Sequence, residues 1–218
     1  MNNAMQYSVD ITIDENDLDK IYGANQSITF VKSVNQFVGA NVSSYDDYCC
    51  PVAWLAFQPL ESNNVSWIEN YYMYASTTVL QSGAAIKMNS QTTSAVQIGW
   101  LYTFASGMFT GASSGGEEPD AFNLYNGMTT PQFNFGLAQH ASVNNIQVFA
   151  PLNAVPVLYN QDAIFTPMET VSIFLSSCSA NGTVIPIIPS NALTFTLTPQ
   201  NPSANVGFND NNNEFYII

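Results

Sequence analysis

The chain contains no arginine, and its only basic residues are Lys20, Lys32 and Lys87 among 218 residues. Against 16 acidic residues this gives a net charge of −13. Binding to nucleic acid depends on Lys and Arg side chains that neutralise phosphates, so this composition excludes a nucleic-acid partner. The same shortage disfavours electrostatic docking on anionic lipid.

Targeting and membrane-spanning patterns are also missing. The first ten residues show no basic segment followed by an apolar run, so we expect no signal peptide. No stretch approaches the roughly 20 apolar residues that a membrane helix needs. We therefore expect no transmembrane segment, and either a cytoplasmic location or release by a non-classical route.

Cysteine is scarce, with only Cys49, Cys50 and Cys178. An odd number with one adjacent pair is not a disulfide framework, which leaves open buried free thiols or one link from Cys178 to the pair. The sequence has no Cys/His cluster and no Gly-rich phosphate loop, so we expect no metal and no organic cofactor.

What the chain does contain is a series of short strand patterns. Tyr7 to Ile13 alternates apolar and polar residues, and many similar segments follow, punctuated by 11 prolines. Only 9 % of residues are charged, which suits strands with exposed Ser and Thr. We predict an all-β fold, an antiparallel β-sandwich of jelly-roll or Ig-like type, with one short helix from Glu15 to Tyr22 capped by Asp14.

Two stretches share a pattern of aromatic, any residue, Pro, apolar, Glu and hydroxyl, followed by Val-Ser. They run from Phe57 to Ser66 and from Phe165 to Ser172. The pattern predicts two related β-sandwich halves, residues 1–112 and 122–218, joined by a linker at 113–121 or merged into a single domain. The alternative is that β-proteins reuse Val, Ser, Thr and Pro often enough to imitate a repeat.

Candidate catalytic residues are few. Glu61 and Glu169 match in the repeat, as a pair of carboxylates in a glycosidase would, but equivalent positions of a duplicated fold usually lie far apart. His140 is the single histidine, and no G-x-S-x-G motif accompanies it. The acidic residues from Asp210 to Glu214 could bind calcium, but the sequence around them favours an Asn-rich turn exposed to solvent. We therefore expect no enzymatic activity.

The stretch from Val65 to Ser76 carries the densest aromatic pattern. Its alternation places Trp67 and Tyr71 on one face, expected in the core, and Tyr72 and Tyr74 on the other. That second face needs a cover, which could be the 38–50 loop, a second copy or a ligand. The predicted ligand-binding residues combine this face with the loop: Tyr72, Tyr74, Tyr45, Tyr48, Asp46 and Asp47.

Three functions follow from this sequence. The first is a non-enzymatic binding protein for carbohydrate or a cell-surface ligand, because rings beside amides and hydroxyls suit sugars. The second is a self-assembling structural or inclusion protein, since charged residues that blunt strand edges are scarce. The third is a membrane-active toxin. We also expect a homo-oligomer.

Overall fold

The computed structural model describes residues 5–39, 51–178 and 180–218. The chain is mostly β, with 57 % of residues in strands and 4 % in helix. The elements, in chain order, are β1 (Gln6–Thr12), α1 (Glu15–Gly23), β2 (Ser27–Val38), β3 (Val52–Ala53), β4 (Leu55–Phe57), β5 (Ser62–Ser76), β6 (Ser90–Gln91), β7 (Trp100–Ala105), β8 (Met108–Ser114), β9 (Phe122–Asn126), β10 (Phe133–Val143), β11 (Ile146–Pro151), β12 (Val155–Val157), β13 (Gln161–Ser176), β14 (Thr183–Val184), β15 (Leu193–Thr196), β16 (Ser203–Asn209) and β17 (Glu214–Ile217).

The strands form two large mixed sheets and a small two-stranded one. The eight-stranded sheet has the order β11-β10-β5-β1-β16-β17, with β12 on β10 and β6 on β5. The seven-stranded sheet has the order β4-β2-β13-β9-β7-β8, with β15 on β13, and β14 pairs with β3. Neither large sheet is closed.

The prediction that the sheets are purely antiparallel is wrong. β1 pairs with β16 in parallel, and β7 pairs with β9 in parallel. Parallel neighbours cannot be joined by a tight hairpin. β1 and β16 lie near opposite ends of the chain, whereas β7 and β9 are connected through β8, the antiparallel neighbour of β7 in the same sheet. Each large sheet also contains strands from both sides of the predicted linker at 113–121. The chain is therefore not divided between sheets at that point.

One hydrophobic cluster takes side chains from both large sheets. Val9 and Trp67 come from the eight-stranded sheet, and Phe30 and Phe165 come from the seven-stranded sheet. Helix α1 closes one part of this core with Leu18 and Ile21. Trp67 and Tyr71 share one face of β5 and are both buried, as the alternation predicts.

Both large sheets carry an irregularity at the same place in the core. In the eight-stranded sheet, Tyr71 of β5 pairs with Gln139 of β10, and Trp67 pairs with Ala141. The two residues of β5 are four positions apart, whereas their partners on β10 are two positions apart, so β5 has two extra residues here. In the seven-stranded sheet, Val34 of β2 pairs with Pro167 of β13, and Lys32 pairs with Val171, so β13 likewise has two extra residues. Such bulges bend a strand and redirect its side chains. They place Glu69 of β5 and Glu169 of β13 in the extra residues.

Within the described residues, no helix is long and apolar enough to cross a membrane.

Candidate functional site

The eight-stranded sheet turns one side away from the core, and part of that side is open to solvent. We call this open part the outer face. Register across β11, β10, β5, β1 and β16 places its side chains in three groups. These are an aromatic group (Tyr72, His140, Phe149), a hydroxyl row (Gln147, Ser142, Ser66, Ser8, Ser203) and an amide row (Asn64, Asp10, Asn205).

The aromatic group forms a small cluster of three rings. His140 stacks on Phe149, its cross-strand partner, with ring centroids 4.3 Å apart and planes at 28°. Tyr72 meets His140 at 5.5 Å and Phe149 at 5.4 Å, edge-on in both cases. His140 is exposed, whereas Tyr72 and Phe149 are half-buried. The cluster therefore presents ring surface to solvent while its rings hold each other in place.

The two polar rows lie beside these rings on the same face. Same-face positions along a strand are about 6.8 Å apart, and five neighbouring strands span about 19 Å. In the amide row, Asn64 Nδ2 donates to Asp10 Oδ1 at 2.8 Å. Asp10 is the only charged residue of the three groups. The outer face thus combines aromatic rings with hydroxyl and amide groups and one carboxylate, across five neighbouring strands.

Next to the outer face, the same side of the sheet is covered by the chain itself. Tyr74 is fully buried in a second cluster that includes Val52, Ile86 and Val184. Its hydroxyl donates to the backbone oxygen of Asn153 at 2.6 Å. The cover predicted over this face is therefore provided by β3, β14 and the segment at 80–88.

The six predicted ligand-binding residues have different outcomes. Tyr45, Asp46, Asp47 and Tyr48 lie outside the described residues. Tyr72 lies in the aromatic group, at the border between the covered and the open parts of the sheet. Tyr74 has 0 % exposure and offers no surface to a ligand in this conformation, contrary to the predicted outward role. The prediction overlooked that β5 is long enough to have one outward part covered and another open.

Most of the outer face was not singled out from the sequence. Ser8, Ser66 and Ser142 stand in three separate strands, and only register brings them into one row. His140, which the sequence analysis considered only as a catalytic candidate, is exposed and stacked on Phe149. The sequence did contain one indication of this face. In β1 and in the first part of β5, every second residue is polar, and such alternation is typical of a sheet with one side exposed to solvent.

The core contains a second constellation, a fully buried lysine. Lys32 Nζ donates to Glu169 Oε1 at 2.8 Å, to Gln139 Oε1 at 2.9 Å and to Tyr71 Oη at 3.1 Å. The side chain of Lys32 is 0 % exposed and that of Glu169 is 8 % exposed. Since an ammonium group has three N–H bonds, all donors of Lys32 are paired. We call these residues, with Trp54 and Trp67, the lysine network.

Aromatic rings complete the lysine network. The Nζ atom of Lys32 lies 5.6 Å from the ring centre of Trp54, 5.3 Å from that of Trp67 and 5.0 Å from that of Tyr71. Trp67 Nε1 donates to Glu169 Oε2 at 2.7 Å, and Tyr71 Oη donates to Glu169 Oε1 at 2.5 Å. Burial lowers the pKa of Lys32 to about 8, although the Glu169 carboxylate opposes the shift. Burial and the nearby Glu169 carboxylate raise the pKa of Glu69.

The predicted equivalence of Glu61 and Glu169 is wrong. Glu61 is exposed and precedes β5, whereas Glu169 lies within β13, buried and ion-paired with Lys32. A shared local motif therefore leads to unrelated environments. The repeat that rested on this motif is not supported.

Among residues 5–39, 51–178 and 180–218, no group of three or more His, Cys, Asp or Glu side chains is arranged to hold a metal ion.

Comparisons of the chain with protein-family models, with curated proteins and with solved structures found no match.

Proposed function

We propose that the chain is a non-enzymatic β-sandwich protein that binds carbohydrate, free or on a cell surface, through its outer face. The observation that carries the proposal is the aromatic group of Tyr72, His140 and Phe149 beside two polar rows in which Asp10 is the only charged residue. Sugars have CH-rich faces that pack on rings and hydroxyls that bond to amides and hydroxyls. A neutral ligand also fits a protein of net charge −13 that has no arginine.

The test is binding to a glycan array. We expect the wild-type chain to bind at least one class of neutral glycan. We expect Tyr72→Ala to weaken that binding about tenfold, equivalent to about 1.4 kcal/mol, because it removes a half-buried ring that also supports His140. Tyr159→Ala is the matched control, since this tyrosine is 55 % exposed in the turn before β13. A chain that binds no glycan, or that binds equally well without the Tyr72 ring, contradicts the proposal.

Self-assembly is a second candidate function, favoured by β8 at one edge of the seven-stranded sheet. Six of its seven residues are exposed, and its sequence, MFTGASS, has no charge and no proline. An uncharged edge strand offers unpaired backbone groups to another chain. In this case β8 of one copy adds to a strand edge of a second copy, and the chain forms homo-oligomers.

Light scattering over a range of concentrations tests this second candidate. We expect the wild-type mass to rise with concentration and Ala112→Lys to remain monomeric, because a lysine on an exposed edge opposes strand pairing. Gln81→Lys adds the same charge in an exposed loop and should assemble as the wild type does. A wild-type chain that stays monomeric at all concentrations excludes self-assembly. Leakage from liposomes mixed with the protein would instead indicate the membrane-active toxin.

A further inference from the structure

We propose that Lys32 and Gln139 form an intramolecular amide bond in the folded protein, with Glu169 carrying the proton. The structure shows the two side chains as hydrogen-bonded neighbours, with Nζ 2.9 Å from Oε1 of Gln139. The amide carbon lies one C=O bond, about 1.2 Å, beyond that oxygen. A nucleophile and an acyl carbon held this close in a fixed geometry react as an intramolecular pair with a high effective concentration.

The first requirement is an amine that can lose its proton. Lys32 is surrounded by Trp54, Trp67 and Tyr71, all buried, so the charged ammonium is poorly solvated. With a pKa of about 8, roughly a tenth of the groups are neutral at pH 7. A reaction that needs to occur only once per molecule requires no larger fraction.

The second requirement is a fixed acyl group. Gln139 is 0 % exposed, and its Nε2 donates to the backbone oxygen of Ile68 at 2.7 Å. The two ends of this amide are therefore held by different partners, the oxygen by the amine of Lys32 and the nitrogen by a carbonyl. The leaving nitrogen points away from the attacking amine.

The third requirement is a proton carrier in contact with the amine. Glu169 Oε1 lies 2.8 Å from Nζ, and Tyr71 Oη and Trp67 Nε1 hold the carboxylate in place. Glu169 takes a proton from Lys32, and the free amine attacks Cδ of Gln139. Glu169 then delivers this proton to Nε2, the Cδ–Nε2 bond breaks and ammonia leaves. The attacking nitrogen gives up a second proton, which Glu169 accepts and passes to the ammonia as ammonium, so the new amide nitrogen keeps a single hydrogen. Overall, one ammonium and one carboxamide become one secondary amide and one ammonium ion.

The surroundings protect the product. The reacting groups lie between the two large sheets, and burial excludes the water that would hydrolyse the new amide. The bond would join β2 of one sheet to β10 of the other, across 107 positions of sequence. It would also remove the charge of Lys32, and Glu169 would keep its hydrogen bonds from Trp67 and Tyr71.

The scarcity of basic residues provides a direct test. Trypsin cleaves the reduced, denatured chain after Lys20, Lys32 and Lys87, which gives peptides 1–20, 21–32, 33–87 and 88–218. An amide on Lys32 blocks the second cut and joins residues 21–87 to 88–218. We expect only peptide 1–20 and one branched fragment from purified protein kept at pH 8, and an intact mass about 17 Da below the sequence mass. Tandem mass spectrometry should place the branch between Lys32 and Gln139.

Variants assign the roles. Gln139→Met keeps Lys32 but has no acyl carbon, so we expect full mass and release of peptide 21–32. Glu169→Gln keeps both reacting groups and should form the bond at least about tenfold more slowly. Gln132→Met, an exposed glutamine just before β10, should form the bond normally. If Gln139→Met does not fold, the branch located in the wild-type chain still decides the question.

Other outcomes overturn the proposal. Full mass in the wild type, with peptide 21–32 released after prolonged incubation, shows that Lys32 and Gln139 remain separate. A loss of about 18 Da with the branch at Glu169 shows that the carboxylate is the acyl group. Loss of ammonia with release of peptide 21–32 indicates a succinimide, for example at Asn126-Gly127, and also overturns it.

Discussion

Replacing Glu169 by alanine is expected to lower the free energy of unfolding by about 3–5 kcal/mol. The Glu169 carboxylate accepts hydrogen bonds from Lys32, Tyr71 and Trp67, and its removal leaves the Lys32 ammonium buried without its counter-ion. A buried charge without a partner costs several kcal/mol, because neither water nor another charge stabilises it. Urea denaturation followed by circular dichroism measures the loss.

Glu61→Ala is the matched control, because Glu61 is the exposed glutamate of the same local motif. We expect its effect to stay within about 0.5 kcal/mol, as for most surface substitutions. Repeating both measurements in the Gln139→Met background, which cannot form the proposed amide bond, reports the contribution of the ion pair alone. Equal losses for the two glutamates would contradict the assignment of Glu169 to a buried ion pair.

A double variant tests whether the loss comes from the uncompensated charge. Lys32→Met combined with Glu169→Leu removes both charges and keeps apolar volume between the sheets. Replacing a buried ion pair by apolar residues is often neutral or stabilising, so the double variant should recover most of the stability. If the double variant is as unstable as Glu169→Ala, the loss comes from shape and the hydrogen bonds of Tyr71 and Trp67.

The parts of the fold that the sequence could predict are those that depend on local periodicity. The alternation of β1 and β5 correctly placed Tyr7, Trp67 and Tyr71 in the core. The helix after Asp14 was also predicted, although the Asp14 side chain makes no capping hydrogen bond and its backbone oxygen accepts from Asp17 and Leu18 instead. Apolar residues that recur every two or every 3.6 positions indicate a strand or a helix from neighbouring residues alone, so these elements can be predicted without knowledge of the tertiary structure.

The parts that could not be predicted depend on contacts between distant segments. The parallel pair of β1 with β16 joins the two ends of the described chain, and no local pattern encodes it. The burial of Tyr74 depends on Ile86 and Val184, which approach it from two other segments. The outer face exists for the same reason, because register between separate strands aligns its rows.

Lys32 is the case in which a local signal was present. Ile28, Phe30 and Lys32 occupy alternate positions of β2, so the period of two already places the lysine on the side that faces the main core. Its partners Gln139 and Glu169 come from two other strands, and the sequence could not identify them. A charged residue that continues an apolar alternation therefore indicates a buried ion pair, without saying which residue completes it.

Alkaline pH is expected to unfold the protein steeply, because three tyrosines keep their protons in the fold. Burial raises the pKa of Tyr7 to about 12, with the carboxylates of Glu69 and Glu169 adding to the shift. Burial and the Glu169 carboxylate raise the pKa of Tyr71 further, and burial alone raises the pKa of Tyr74. In the unfolded chain these hydroxyls ionise near pH 10.

The direction of the effect follows from proton binding. A tyrosine whose pKa is higher in the folded state holds a proton that the unfolded chain has released, so its contribution is full below pH 10 and is lost as pH rises. Each such tyrosine lowers the free energy of unfolding by about 1.4 kcal/mol for every pH unit, and the three together lower it by about 4 kcal/mol for every pH unit between pH 10.5 and 12. Where Lys32 remains a free amine, as in the Gln139→Met variant, its lowered pKa acts in the opposite direction, but only between about pH 8 and its unfolded value near 10.5.

Tyr74→Phe isolates one of these tyrosines. The variant loses the hydrogen bond from the Tyr74 hydroxyl to the backbone oxygen of Asn153, so we expect it to be about 1 kcal/mol less stable at pH 8. Above pH 10.5 its stability should fall about a third less steeply than that of the wild type, because one of three protons is no longer released on unfolding. Urea denaturation at intervals of half a pH unit measures both slopes. If the free energy of unfolding falls with pH as steeply in Tyr74→Phe as in the wild type, Tyr74 has the same pKa in the folded and unfolded states. That result would contradict the prediction, which rests on the complete burial of Tyr74.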